Sequence, residues 1–163
     1  EDKLHLFGQD LVLNGTGVRA VAWFKGYAAG LYLGARAQQA PAVLAMPGAK
    51  RLRMQMLQDV PAAEFTKAFD KGVARNTPPA DLPTLLDRMK HFERLIGAVG
   101  LVRKGDVVDL DFDPDRGLAF SVNGTLRGEP IIGADLFAAL LRSFIGDQPY
   151  DQKLKDGLLG RPA

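Results

Sequence analysis

The sequence has no cysteine. A disulfide framework, a thiolate metal site and a cysteine nucleophile are therefore all excluded, while any cellular compartment stays open. Histidine is almost as scarce: His5 and His91 are the only two, each lies among charged neighbours, and no carboxylate spacing completes a metal ligand set around them. There is no G-x-S-x-G, no P-loop and no G-x-G-x-x-G, and Gly15-Thr16-Gly17 reads as a turn. Hydrolase, nucleotide-binding and metalloenzyme classes lose ground, and no cofactor is expected. No apolar run reaches the roughly 18 residues a membrane span needs. Neither sign of charge dominates, with 21 basic against 19 acidic residues and a net charge of +2, so the electrostatic footprint of a nucleic-acid binder is missing. Repeats and low-complexity segments are absent.

What is present describes one globular domain over residues 1–163, with 47% hydrophobic and 25% charged content. Such a chain hides roughly 70% of the surface its unfolded form exposes and has material enough to enclose a pocket. The first third reads as β: Asn14-Gly15 signals a tight turn, and one extended segment follows to about Ala35, with Gly26, Ala28, Ala29 and Gly30 marking a bulge or a close approach. A short helix is predicted over Pro41 to Met46 and a strand over Arg51 to Leu57. Phe65, Phe69 and Val73 recur at spacings of four after Pro61 and predict a helix to about Arg75. Asp81 is the expected N-cap of a second helix striped with Leu82, Leu85, Leu86, Met89 and Phe92. Two alternating strands with a turn at Asn123-Gly124 come next, then an amphipathic helix ended by Gly146, then a short last helix. Strands, helices, strands and a covering helix predict an α+β domain with a mainly antiparallel sheet.

The acidic string Asp109, Asp111, Asp113, Asp115 fails the calcium-loop pattern, because Pro114 or Arg116 stands where its glycine belongs. Its alternation reads as a solvated strand face running into a turn, and "KRLRM" with Lys50, Arg51 and Arg53 reads as a half-buried strand. The glycosylation patterns at Asn14 and Asn123 coincide with predicted turns, which account for them. Arg19 is the ambiguous residue. Alternation along one strand puts Arg19, Val21, Trp23, Lys25 and Tyr27 on one face and Val18, Ala20, Ala22 and Phe24 on the other, and neither is plainly solvated. An exposed Arg19 contributes little, whereas a buried one must meet an acid or a ligand anion.

"GTGVR", "FKGYAAGLYL", "KGD" at 104–106, "NG" at 123–124 and "IGDQPYDQKLKDGLLG", in that order from about Leu11 to Gly160, resemble the bacterial branch of the chalcone isomerase-like family. The resemblance implies an open-faced β-sandwich: a large antiparallel sheet covered by a layer of helices, a few short strands on the other face, and a cleft between sheet and helices. Arg19 matches the arginine of the family's "GVR" motif, which is catalytic in the plant enzymes. Tyr27 stands at the position of the enzymes' threonine, where the fatty-acid-binding members carry a tyrosine. The enzymes' helical tyrosine and asparagine are unmatched here, falling near Glu64 or Phe65 and near Lys71. The implied function is non-catalytic binding of a small apolar, carboxylate-bearing molecule such as a fatty acid, with Arg19, Tyr27, Tyr32, Phe65 and Phe69 at the site. The alternatives are an isomerase of the intramolecular lyase type using Arg19, or a haem- or partner-binding envelope protein. The resemblance also implies a periplasmic location, and the first residue, Glu1, fits a removed signal peptide or a trimmed start.

Overall fold

The computed structural model describes residues 1–21 and 24–162. Nine strands and five helices occur among them: β1 (Lys3–Leu6), β2 (Gln9–Val21), β3 (Phe24–Leu33), α1 (Ala40–Ala45), β4 (Lys50–Met56), β5 (Val60–Pro61), α2 (Ala62–Asn76), α3 (Leu82–Gly97), β6 (Leu101–Val102), β7 (Val107–Asp113), β8 (Gly117–Val122), β9 (Thr125–Leu126), α4 (Ala134–Ile145) and α5 (Gln152–Leu158). Seven strands form one antiparallel sheet in the order β1-β2-β3-β4-β7-β8-β9. The α+β class and the large helix-covered sheet predicted from sequence are what the chain adopts.

Strand alternation sorts the sheet into two faces. Tyr27, Ala29 and Leu31 of β3 stand beside Met56, Met54 and Leu52 of β4, and the rows continue through Val108 and Leu110 to Val122 and Phe120. This apolar face meets the helices. α2 buries Phe69 and Val73, α3 buries Leu85, Met89, Phe92 and Ile96, and α4 buries nearly its whole length, which is why α2 packs against both neighbours. Phe92 joins the layers, 5.6 Å from Phe69 and edge-on to Phe120 at 5.9 Å. The remaining two strands, β5 and β6, pair with each other and brace the helix layer, with Val102 in the main core and the half-buried Val60 packed against it. They do not lie across the opposite face, where the resemblance placed short strands.

Several local expectations give way to tertiary contacts. Asn14-Gly15 is not a turn but a bulge inside β2, and the buried Asn14 amide donates to the carbonyls of Ala37 (2.9 Å) and Leu158 (2.8 Å) while its oxygen accepts from Ala37 N–H (2.8 Å). The long segment to Ala35 is two antiparallel strands, with Ala22 and Trp23 of the expected alternation outside the described residues. Asp109 and Asp111 are not solvated: they are 2% and 3% exposed, each held bidentately by an arginine of β4. Asp81 occupies the N-cap of α3 without a side-chain capping bond, and Leu86 is exposed.

Glu93 of α3 gives the helix layer a pH response. Burial first, then the Asp70 carboxyl of α2, pushes it up to about 7. The folded chain thus holds a proton that the unfolded carboxyl releases nearer its ordinary 4.5, so this contribution is full below that value and is lost as pH rises through 7. Glu93→Gln is expected to raise the melting temperature at pH 8 and to leave it nearly unchanged at pH 5. An equal shift at both pH values counts against the assignment.

Candidate functional site

Between the β2–β3 end of the sheet and α2 lies a cavity of ≈150 Å³. Its position follows from a bulge. Arg19 is paired directly with Tyr27, whereas Ala20 is paired with Lys25, so Gly26 has no opposite residue and the ladder slips by one. Cross-strand partners share a face. Arg19 therefore joins Tyr27 on the apolar, helix-facing side, which the single-strand alternation left open.

The floor and wall of the cavity are Tyr27, Met54, Phe65, Phe69 and Phe144, with Ala68 and Val60 beside them. Phe65 lies 6.3 Å from Tyr27 and 6.4 Å from Phe69, ring centre to ring centre, and is the half-buried member of a row whose inner members are closed to solvent. A second apolar void begins behind it, sharing Met54, Phe65 and Phe69 and lined further by Ile96, Val108, Leu110 and Phe120.

Arg19 supplies the positive end. Its guanidinium lies 3.9 Å from Asp151 and 6.0 Å from the centre of the Tyr150 ring, with the side chain 29% exposed. The Asp151 carboxylate is already engaged as the N-cap of α5, accepting from the backbone N–H groups of Lys153 (2.8 Å) and Leu154 (3.2 Å). At 3.9 Å its link to Arg19 is an ion pair without a close hydrogen bond. Arg19 Nη1 also donates to the Ala20 carbonyl at 3.5 Å, and among the described residues the guanidinium makes no other hydrogen bond. Tyr27 makes no side-chain hydrogen bond among the described residues, and burial pushes its hydroxyl well up, so it stays a protonated donor. The Tyr150 hydroxyl, pushed up to about 12 by burial, donates to the Ala68 carbonyl at 2.7 Å and fixes its ring under Arg19. Among the described residues the only acid in the lining is Glu64, exposed at the rim and 3.5 Å from Lys67.

Of the five residues singled out from sequence, Arg19, Tyr27, Phe65 and Phe69 meet at this cavity. Tyr32 does not. It sits on the opposite face beside Arg51, in a small cluster with Leu11 and Ala49, and its hydroxyl donates to the Glu1 carbonyl at 2.8 Å. It is five positions along from Tyr27, and an odd offset along a strand reverses the face. Met54, Phe144, Tyr150 and Asp151 were not anticipated. The last two lie within the C-terminal run that carried part of the resemblance, but no local pattern links them to Arg19. A cation and a phenolic donor above an apolar hollow can hold an acidic head group and the start of an apolar body.

The sequence matches the family model described as chalcone isomerase-like over residues 1–160. The fold is similar to that of a fatty-acid binding protein of Arabidopsis thaliana, with a TM-score of 0.71 and 16% sequence identity, covering 96% of this chain and 95% of that one. No curated protein matches the sequence.

Proposed function

The chain belongs to the chalcone isomerase-like family, and from that premise we propose that it binds, without converting it, an elongated apolar molecule with a carboxylate head, of the fatty-acid class. The observation that carries the reading is the direct pairing of Arg19 with Tyr27 at the mouth of an apolar cavity. The carboxylate meets the guanidinium and accepts a hydrogen bond from the Tyr27 hydroxyl, while the tail lies along Met54, Phe65 and Phe69. An apolar cavity of about 150 Å³ takes a benzene-sized group, so a longer tail requires Phe65, the least buried ring of the wall, to swing outward and join the cavity to the void behind it. Burial of the tail at about 25 cal/mol per Å² sets most of the affinity, and Arg19 sets the orientation. Holding over chemistry is supported by the described lining residues, among which there is no histidine and the one acid, Glu64, is turned to Lys67.

The test is native mass spectrometry of the purified protein for co-purified acyl acids, followed by fatty-acid titration of wild type and Arg19→Ala. The loss of a charge-assisted hydrogen bond, about 1.5 to 3 kcal/mol, weakens binding roughly 10- to 100-fold. No bound lipid and no fatty-acid binding in either protein overturns the reading. We place the protein, as part of the same reading, in a bacterial periplasm, which recovery of the full gene product in osmotic-shock fluid checks.

A further inference from the structure

A second cavity, of ≈200 Å³, lies on the same face of the sheet but at the other end of β4. Lys50 and Met54 are four residues apart, about 13 Å along an extended strand. Its walls include Leu44, Met46, Phe112, Phe137 and Leu141, and among the described residues Lys50 is its only charged one. Lys50 is 6% exposed. Its Nζ donates to the Met46 carbonyl at 2.6 Å and lies 5.2 Å from the centre of the Phe112 ring. Both contacts belong to residues that line the cavity, so the ammonium stands at the cavity wall.

An ammonium has three N–H donors, of which one is used here and another direction is occupied by the ring. Burial alone pushes Lys50 down, and no acid of the described residues opposes it. The next two cations of the same strand show the contrast. Arg51 and Arg53 each donate two hydrogen bonds to one carboxylate. A buried charge without a counter-charge is costly, and the usual remedy is an anionic partner. An apolar cavity of about 150 Å³ holds benzene, so ≈200 Å³ has room for a six- or seven-carbon apolar body with a small head.

We propose that this is a second ligand site, separate from the Arg19 cavity, for a small monocarboxylate of benzoate or hexanoate size whose carboxylate pairs with Lys50. The Met46 carbonyl orients the ammonium, and Phe112, Phe137 and Leu141 cover the apolar body. The two methionines report on the two sites: Met46 lines this cavity and Met54 the other.

The experiment is methyl NMR of methionine-labelled protein titrated with benzoate and with hexanoate. In wild type and in Arg19→Ala the Met46 methyl is expected to shift and saturate. In Lys50→Met, close in volume, the apparent affinity at Met46 falls at least about tenfold, as the loss of a charge-assisted hydrogen bond dictates. A Met46 signal unmoved in wild type, or equally moved in Lys50→Met, overturns the second site and leaves Lys50 as a cap on the carbonyl end of α1. The fate of the Met54 signal judges the Arg19 site separately. Should Lys50→Met not fold, protection of Lys50 in the native protein from trinitrobenzenesulfonate by benzoate decides, with absence of protection counting against the site.

Discussion

Asp111→Ala is expected to cost about 3 to 5 kcal/mol of unfolding free energy in a urea or thermal melt, the loss that follows when one partner of a buried ion pair is removed. Asp111 is 3% exposed, and its two oxygens accept from Arg51 Nε and Nη2, both at 2.8 Å. Burial pushes its carboxyl up and the guanidinium pulls it back, while the two-bond geometry is that of an ionised carboxylate. One row along, Arg53 holds Asp109 in the same way, and Arg51 also reaches Asp109 at 3.8 Å. Alanine at 111 leaves the Arg51 head on a sheet face with its counter-charge gone. Its 16% exposure grants partial hydration, which favours the lower end of the range. Arg51→Met combined with Asp111→Leu is expected to recover most of the loss, because removing both charges together abandons no partner. A cost below about 1 kcal/mol for Asp111→Ala would show the pair to behave as an ordinary surface pair.

Gly15→Ala is expected to destabilise by about 3 kcal/mol or more, at or beyond the upper end of ordinary overpacking. A Cβ at residue 15 falls on the Gly157 carbonyl and comes within 2.8 Å of both Gly160 N and Leu158 O. All three are backbone atoms, so no side chain can turn aside. The contact is reciprocal: a Cβ on Gly157 falls on the Thr16 carbonyl, and one on Gly17 meets Leu154 at 3.0 Å. The glycines let α5 lie directly on β2. Lifting α5 also disturbs Tyr150, whose ring supports Arg19, so binding at the proposed site should change along with stability. Gly97→Ala, where an added Cβ meets nothing within 4 Å, serves as the control.

How much of this was readable in the chain is clearest where one signal had two outcomes. Asn123-Gly124 and Asn14-Gly15 are the same dipeptide, and each predicted a turn. Asn123 and Gly124 do turn, at φ 52° and 80°, because their strands pair beside them. Asn14 spends its amide on Ala37 and Leu158, partners far away in sequence that no local rule reveals. The alternation of Asp109 and Asp111 gave the correct face but not their burial, since the arginines that cover them lie 56 and 60 residues earlier. The helices over Phe65–Val73 and Leu85–Phe92 were legible because their apolar spacing is local and strong. Arg19 and Tyr27 were reached through family resemblance. Periodicity put the two on one face, as their direct pairing does, but ran one strand through what are two antiparallel strands with a slipped register and so left the burial of that face open. Tyr32 could have been set aside on strand parity.

The Asn14 clasp onto the end of α5 also bears on the order in which the protein is made. The sheet grows mainly by neighbours, β1 to β4 and then β7 to β9, joined across the helical insertion, so much of it can assemble as the chain leaves the ribosome. The β2–α5 contact spans nearly the whole chain, and closing it waits for residues 151–158 to be synthesised. Until then Arg19 lacks both Tyr150 and Asp151. The Arg19 cavity is therefore among the last parts completed, and the proposed ligand, if seated there, would distinguish finished molecules from nascent ones.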